Sequence, residues 1–347
     1  NWYPSAEYES KNTIKNVGLF DLTPFSKFEI FSENAHEELQ KICTANIKNE
    51  IGKCTYTQML NSDGGIETDL TVICLDKNYF RIISSAATRE RDKFHLKKCL
   101  PSDIELKDVT DDLCVFGLFG PKSRDLIKTL SNENFENDDF KFATAKFITI
   151  NGTKIWTQRL SYVGELGFEL YVEFKDAKKI YELILDTGKN FNLSNCGMHT
   201  MDIMRMESGF LHWGHDISPE ENQYESNLNF AVSYKKNIKF IGRDALIKIK
   251  DKKSKKRFVI LCLKDSNPGE PLLLRDEPIY LDDKIIGVTT SGNFSFNYNK
   301  NLSFGYIKSD FSNEALLKKN LYIEIEKNKY PAEILLKPLK QTDFKNL

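Results

Sequence analysis

The feature that most constrains the fold is a series of short strand-like segments that fills roughly the last ninety residues of the chain. From Phe258 onward, β-branched and other apolar residues come in short stretches separated by Asn, Gly and Asp. The stretches are FVILCL, EPIYL, KIIGVTTS, LSFGYI, LYIEIE and YPAEILL. Short strands parted by turn residues are typical of an all-β domain. We therefore expect such a domain at this end, bounded by the lysine-rich stretch at residues 250–257.

Strand-like and helix-like segments alternate through the first two thirds of the chain. The stretch LFDLTPFSKFEIF, residues 19–31, predicts two strands that pair with each other. The stretch that follows, residues 32–46, has helical spacing of its apolar residues. Ser32 or Asn34 is the expected N-cap, because a short polar side chain can accept a hydrogen bond from a free backbone N–H in the first turn.

A further helix is predicted over residues 176–188, where Gly188 is the expected stop. The next segment, residues 196–209, contains four of the five methionines of the chain. Clustered methionines pack adaptably in a core, and they also offer a surface on which a flat ligand can rest. Both interpretations stay open from the sequence.

The overall charge does not point to a polyanionic partner. Lys plus Arg number 49 and Asp plus Glu number 50, so no net field attracts nucleic acid or an anionic membrane. No apolar run is long enough to span a bilayer. The seven cysteines form no Cys-x-x-Cys pair, which predicts a reducing, cytoplasmic location without structural zinc. The chain begins with Asn rather than Met, so we expect further sequence upstream.

Several common catalytic motifs are absent from the sequence. There is no Gly-x-Gly-x-x-Gly, no Gly-x-x-x-x-Gly-Lys-Ser/Thr, no Gly-x-Ser-x-Gly and no His-Glu-x-x-His. These absences argue against a dinucleotide, nucleoside-triphosphate or hydrolase site of the usual kind. His212 and His215 are close in sequence but lack an identifiable third ligand, so we expect a structural role for them and no metal site.

The stretch GGIETDLTV follows a polar turn and begins a predicted strand. Gly64 and Gly65 permit a tight turn, and Glu67 and Asp69 then point to the same face, because strand side chains repeat every two residues. Two interpretations stay open at this stage. The carboxylates belong either to a solvated hairpin edge that discourages aggregation or to a site for an amine-bearing substrate.

The stretch RLSYVGELGFELYV, residues 159–172, predicts a hairpin that turns at its glycines. Tyr162, Glu165 and Glu169 surround this turn. One interpretation is a hairpin with surface glutamates. The other is a ligand site, since a carboxylate can accept two hydrogen bonds from a planar donor edge while a tyrosine ring covers the plane of the ligand.

Five ordered stretches together resemble the aminomethyltransferase family, typified by the T-protein of the glycine cleavage system. They are YTQMLNSDGGIETDLTV, SYVGELGFELY, MDIMRMESGFLHWGHDISPEE, KFIGRDAL and GVTTSGNFS. The opening NWYPSAEYES and the stretch VGLFDLTPFSKFEI are most similar to the folate-binding C-terminal half of dimethylglycine and sarcosine dehydrogenases. The resemblance covers nearly the whole chain.

This resemblance implies an α+β, three-domain clover-leaf fold with a C-terminal β-barrel. It divides the chain into residues 1–250, a folate-binding region of two intertwined α+β subdomains, and residues 256–347, the barrel. It implies that Asp69 is the catalytic acid beside the folate amines and that Glu169 binds the edge of the pterin ring. The resemblance also assigns four aromatic residues to the folate pocket, namely Tyr162, Tyr56, Phe25 and Phe210.

Two positions depart from the T-protein pattern. Thr68 replaces the first of two consecutive aspartates, and Met201 stands where T-proteins carry an arginine. Both departures favour the dehydrogenase-like branch, in which a lipoyl-arm partner is not used.

The expected function is tetrahydrofolate-dependent capture of a one-carbon group from an N-methylated amine, which gives methylene-tetrahydrofolate. The alternatives are a glycine cleavage T-protein, another folate-dependent demethylase, or a non-enzymatic folate-binding protein of iron–sulfur maintenance. The last carries a Lys-Gly-Cys-Tyr-x-Gly-Gln-Glu signature where this chain has KFIGRDAL. FAD is expected only if an upstream or partner flavin dehydrogenase module supplies it, since the dinucleotide fingerprint is missing.

Overall fold

The computed structural model describes residues 1–250, 252, 254–341 and 343–347. Part of the predicted lysine-rich boundary, residues 251 and 253, lies outside the described residues. The helices are α1 (Tyr3–Thr13), α2 (Ala35–Ile42), α3 (Arg89–Cys99), α4 (Ser123–Leu130), α5 (Phe174–Gly188), α6 (Met198–Glu207), α7 (Arg243–Lys250) and α8 (Asn313–Lys318). None of the described helices is long and apolar enough to cross a membrane.

Seventeen strands are described, and they form two sheets and one barrel. They are β1 (Val17–Asp21), β2 (Ser26–Phe31), β3 (Cys54–Leu60), β4 (Ile66–Asp76), β5 (Tyr79–Ser84), β6 (Glu105–Asp108), β7 (Leu113–Phe119), β8 (Ala145–Ile150), β9 (Thr153–Gln158), β10 (Gly167–Glu173), β11 (Leu193–Cys196), β12 (Lys256–Leu263), β13 (Pro278–Leu281), β14 (Lys284–Ser295), β15 (Lys300–Lys308), β16 (Leu321–Ile325) and β17 (Asn328–Leu335).

The first sheet has the strand order β11-β1-β7-β10-β9-β8. All its neighbours are antiparallel except β1 and β11, which run parallel. Its core is built from buried aliphatic and phenylalanine side chains, and helices α4 and α5 contribute Leu126, Ile127, Ile180 and Ile184 to it. This sheet carries Glu169 on β10.

The second sheet has the strand order β3-β4-β5-β2-β6. Its neighbours are all antiparallel, and its core includes Leu39 and Ile42 from α2 and Leu96 from α3. This sheet carries Asp69 on β4.

The predicted pairing of the two strands within residues 19–31 is wrong, because β1 and β2 belong to different sheets. β1 pairs with β7, and β2 pairs with β5 and β6. The chain leaves the first sheet after Asp21 and turns through a hydrogen bond from Phe25 N to Leu22 O, 3.1 Å long, before β2 begins. The chain returns to the first sheet at β7, so the two sheets are intertwined along the sequence.

The last six strands close into a barrel in the order β12-β15-β14-β13-β16-β17. The expectation of an α+β fold of T-protein type with a C-terminal β-barrel is confirmed. Each of the six predicted strand segments is present. The short helix α8 was not predicted. Its inward side chain Leu316 packs with the barrel core.

The helix ends differ from the sequence-based expectations. Asn34 occupies the N-cap of α2 without a side-chain capping bond, and Ser32 instead accepts a bond from the Asn34 backbone N–H at 3.3 Å. Helix α5 does not stop in a left-handed glycine, since Gly188 has helical dihedral angles. A short 3-10 turn follows, and Asn192 takes the left-handed conformation with φ of 53°. Asn tolerates this conformation better than most residues do.

Candidate active site

Asp69 lies directly opposite Gln58 in the antiparallel register of β4 and β3. The Gln58 side-chain amide donates a hydrogen bond from Nε2 to Asp69 Oδ1 at 2.9 Å. The Gln58 side chain is fully buried. The hairpin therefore holds the predicted catalytic carboxylate by a side chain on the neighbouring strand.

Burial raises the pKa of Asp69 to about 6, and the hydrogen bonds from Gln58 and Tyr56 oppose that rise. Asp69 keeps some accessible surface and Tyr56 is 38% exposed. A ligand can therefore reach both side chains.

The double glycine before β4 makes room for another part of the chain. Gly64 has a φ of +89°, which side chains rarely adopt. A Cβ at Gly65 would collide with the Pro219 carbonyl oxygen, and the next backbone N–H, from Ile66, donates to Glu221 O at 2.9 Å. The observed reason for Gly65 is thus close approach of the loop at residues 219–221.

Glu67 is engaged in a structural ion pair. Arg91 of α3 donates to both the carboxylate and the backbone carbonyl of Glu67. The Arg91 guanidinium also lies over the Trp213 ring, 4.6 Å from its centroid. Of the two carboxylates at the start of β4, Asp69 is the one without such a cation partner among the described residues.

Glu169 lies on β10, between Gly117 of β7 and Gln158 of β9. Tyr171 donates a hydrogen bond from its hydroxyl to Glu169 Oε2 at 3.1 Å. Burial raises the pKa of Glu169 to about 7, and the bond from Tyr171 acts in the opposite direction. Glu169 is partly accessible to solvent, so a ligand can reach it as well.

Three side chains on one face of β3, called the strip below, extend from the neighbourhood of Glu169 to that of Asp69. Cys54, Tyr56 and Gln58 share one face of the strand, because side chains alternate along it. Cys54 lies close enough to Glu169 to interact with it electrostatically, and Gln58 bonds to Asp69. Four residues of strand span about 13 Å. Asp69 of β4 and Glu169 of β10 therefore lie beside opposite ends of this strip.

The predicted aromatic residues gather around this strip. Tyr162 lies near both Tyr56 and Asp69, and its ring stacks on Phe210 with centroids 6.2 Å apart. The Tyr162 hydroxyl donates to Leu211 O at 2.9 Å, which fixes the ring. Phe25 packs against the same hydrophobic cluster as Tyr162.

The segment predicted as a hairpin at residues 159–172 contains one strand. β9 ends at Gln158, and residues 159–166 form an irregular connection before β10. Glu165 is not a surface glutamate, because it is buried and forms an ion pair with Lys340. The turn itself is present, since Gly164 has a positive φ of 72°.

The methionine-rich segment forms α6. Met201, Met204 and Met206 are buried, and Met198 is 61% exposed. Met201 and Met204 pack in the cluster that includes Cys54 and Tyr171. The segment therefore contributes mainly to core packing beside the site.

A buried ion pair on α6 ties the site to the barrel and was not predicted. Arg205 Nη1 lies 2.5 Å from Asp216 Oδ2, and both residues are about 1% exposed. Asp216 also accepts hydrogen bonds from Thr290 and Ser291 of β14, at 2.6 and 2.8 Å. Arg205 further donates to the Phe210 carbonyl at 3.0 Å. This pair therefore fixes the backbone that carries the aromatic ring beside Tyr162.

His212 and His215 stack their rings with centroids 4.3 Å apart. Burial and the nearby Arg205 lower the pKa of His212 to about 4. Within the described ranges, no group of three or more His, Cys, Asp or Glu side chains is arranged to hold a metal ion.

Two glutamines were missed by the sequence analysis, although both lie beside quoted motifs. Gln58 is the third residue of YTQML, and Gln158 directly precedes RLSYVGELG. Each faces one of the two site carboxylates across a strand pair. The strand registers that create these pairs are not readable from the sequence, so no local signal singled the glutamines out.

Comparison with known proteins places the chain in a family. The model of the GCVT N-terminal domain matches residues 1–236, and that of the glycine cleavage T-protein C-terminal barrel domain matches residues 256–340. A solved structure, the glycine cleavage system aminomethyltransferase T from Bartonella henselae, superposes with a TM-score of 0.85 at 21% identity. The superposition covers 97% of this chain and 90% of that one.

Two relatives match at somewhat higher identity. The mitochondrial dimethylglycine dehydrogenase of Rattus norvegicus is 31% identical over 99% of this chain, which spans only 40% of that protein. An aminomethyltransferase of Halothermothrix orenii is 30% identical over 89% of this chain and 85% of its own length. The chain thus belongs to the glycine cleavage T-protein family of folate-dependent aminomethyltransferases.

Proposed function

We propose that this chain transfers a one-carbon group from an N-methylated amine of the dimethylglycine or sarcosine type to tetrahydrofolate, forming methylene-tetrahydrofolate. The observation that carries the proposal is that two carboxylates, Asp69 of β4 and Glu169 of β10, lie beside the same face of β3, next to Gln58 and Cys54 respectively. The similarity to dimethylglycine dehydrogenase over 99% of the chain supports an amine donor.

The residues around Glu169 fit the pterin end of tetrahydrofolate. A pterin presents an amino group and a ring amide as adjacent donors, and an ionised carboxylate only accepts hydrogen bonds. Among the described residues, the Tyr171 hydroxyl is the hydrogen-bond donor to the Glu169 carboxylate. The carboxylate therefore retains acceptor capacity for two further bonds. Such donors favour its charged form against the burial that raises its pKa to about 7.

The aromatic side chains fit the flat part of the same ligand. Tyr162 and Phe210 are nearly parallel, with an interplanar angle of 22°. Within the strip, Tyr56 stacks on Phe230 with centroids 6.1 Å apart. Aromatic rings at both places offer apolar faces to a planar ligand while the Tyr162 hydroxyl remains bonded to Leu211 O.

Asp69 is proposed as the group that assists proton transfer. Tetrahydrofolate, when bound, supplies the nucleophilic amine. The Asp69 carboxylate accepts a proton from that nitrogen and stabilises positive charge near it. A pKa of about 6 keeps the carboxylate mostly ionised at neutral pH and leaves it able to hold a proton. Holding both reactants at one site makes an otherwise bimolecular capture effectively unimolecular.

A flavin dehydrogenase module is the proposed source of the oxidised amine, because loss of hydride from an N-methyl group requires an acceptor. We also propose a cytoplasmic location. All seven cysteines are free thiols in the fold, which suits a reducing compartment.

A glycine cleavage T-protein activity is the second candidate, favoured by the match to an aminomethyltransferase over 85% of its length. The two departures from the T-protein pattern weigh against it. Thr68 is buried and donates to Asp92 Oδ1 at 2.8 Å, and Met201 is buried in the core. Neither position offers a charged group to the site.

The direct test is to supply the chain with tetrahydrofolate, an N-methyl amine and a separate flavin amine dehydrogenase, and to measure methylene-tetrahydrofolate. The expected result is that this chain accelerates its formation well above the rate with the dehydrogenase alone. Acceleration only with an aminomethyl-lipoyl protein would support the T-protein candidate. No acceleration with either donor would refute the proposed transfer.

A further inference from the structure

We propose that Gln58 is a positioning residue for the reaction: its side-chain amide holds the Asp69 carboxylate in a fixed orientation at the site. The inference rests on the proposed role of Asp69. Its geometric basis is the direct bond from Gln58 Nε2 to Asp69 Oδ1 and the direct pairing of the two residues across β3 and β4.

Gln58 is held rigidly enough to orient another side chain. Its backbone N–H donates to Thr44 Oγ1 at 3.2 Å, and its carbonyl accepts from the Thr44 backbone N–H at 2.9 Å. The side chain is fully buried. A side chain on a fixed strand loses little further freedom when it bonds to its neighbour, so it can define the position of the carboxylate.

The chemistry of the pair fixes the direction of the amide. An ionised carboxylate only accepts hydrogen bonds, so the NH₂ end of Gln58 must face Asp69. The other end, Gln58 Oε1, is buried and has no partner among the described residues.

The bond also favours the charged form of Asp69. The titratable side chains that face Asp69 are Tyr56 from β3 and Tyr162 from the connection after β9. Glu67, its neighbour on β4, is paired with Arg91. No cation forms an ion pair with Asp69 in the described part of the chain, and the hydrogen bonds from Gln58 and Tyr56 lower its pKa against the effect of burial.

The test is a titration of the aspartate carboxyl carbons by NMR in the ligand-free protein, with Asp69→Asn used to assign the Asp69 signal. Gln58→Met keeps the length of the side chain and removes the donor. The matched control is Gln223→Met, since Gln223 is also fully buried and its side-chain amide has no hydrogen-bond partner among the described residues. The measurement needs no folate, so its outcome is independent of the proposed transfer.

The expected result is that the titration midpoint of Asp69 rises by about one pH unit in Gln58→Met and stays at the parent value in Gln223→Met. In turnover assays, the acid limb of the pH profile of Gln58→Met should move to higher pH by the same amount. Gln58→Leu is measured as well, so that poor folding of one variant leaves a second. An unchanged midpoint in a folded Gln58 variant, or an equal rise in the Gln223 control, would overturn the proposal.

Discussion

Gln158 lies directly opposite Glu169 across β9 and β10, just as Gln58 lies opposite Asp69 across β3 and β4. Gln158 is fully buried, and neither end of its side-chain amide has a partner in the described structure. Each site carboxylate is thus accompanied by a buried glutamine on the adjacent strand. In both halves of the site, the register of a strand pair therefore places a buried glutamine opposite the carboxylate.

Removing the Asp69 carboxylate should affect turnover much more than binding. We expect Asp69→Asn to lower the rate of methylene-tetrahydrofolate formation by roughly 100-fold or more, the range for general acid–base groups, with a smaller change in folate affinity. Asp63→Asn is the control, because Asp63 is exposed on the turn before the same strand. Steady-state kinetics of both variants measure the two effects. Near-parent turnover in Asp69→Asn would refute the catalytic role of Asp69.

Glu169 should make the ligand-free protein less stable at neutral and alkaline pH. Its pKa is raised to about 7 in the fold and is about 4.3 when unperturbed. Below both values the group is neutral in both states and has no effect on stability. As pH rises from about 4.5 to 7 the unfolded chain ionises first, so the free energy of unfolding falls, and the full penalty is present above pH 7.

Glu169→Gln should therefore raise the free energy of unfolding at pH 8 by roughly 3 to 4 kcal/mol, since the pKa rises by about 2.7 units in the fold and one pKa unit corresponds to about 1.4 kcal/mol. The gain should vanish near pH 4. Urea unfolding at the two pH values measures it. If the variant is as stable as the parent at pH 8, or less stable, the prediction that burial disfavours the ionised form of Glu169 is contradicted.

The Arg205–Asp216 ion pair should be important for stability. Asp216→Ala leaves the buried Arg205 cation with the weaker support of Asp202, 2.8 Å from Arg205 Nε. We expect a loss of about 3 kcal/mol in the free energy of unfolding, in the range for a broken buried pair. Asp111→Asn, which removes the exposed partner of Arg89, is the control and should change stability little. Equal denaturation midpoints for the two variants would show that the pair does not hold the fold.

The sequence was most informative where the pattern is local. The six barrel strands alternate with turn residues, so their existence follows from hydrophobic spacing alone, and the order of five motifs was enough to indicate the fold. Pairing partners are non-local, which is why β1 and β2 were assigned to each other. Their actual partners, β7 and β5, lie far away in sequence.

The same limit applies to the site. Asp69 and Glu169 were identified through their motifs. In the structure they lie beside opposite ends of the strip on β3. Their roles remain predictions until they are tested. Gln58, Gln158 and Arg205 were missed because their significance comes from contacts across strands and between helix and barrel. Glu165 was taken as a turn residue, because its ion pair with Lys340 joins positions 175 residues apart.

The chain by itself should not oxidise amines. The sequence lacks a dinucleotide fingerprint, so we expect the purified chain to be colourless and inactive with dimethylglycine or sarcosine as reductants. Visible absorbance of the purified protein and an electron-acceptor assay measure this. A yellow preparation with flavin absorbance, or amine oxidation without a partner, would contradict the proposed division of labour.

The central claim is that Glu169 binds tetrahydrofolate at this site. It is tested most directly by calorimetric titration of tetrahydrofolate, under anaerobic conditions, into three proteins. These are the parent, Glu169→Gln, and Glu169's matched control Glu173→Gln, which changes an exposed carboxylate at the end of the same strand. We expect Glu169→Gln to lose about 1.5 to 3 kcal/mol of binding free energy, the value for hydrogen bonds to a charged group, and Glu173→Gln to bind like the parent. Equal affinities of the parent and Glu169→Gln would contradict the account.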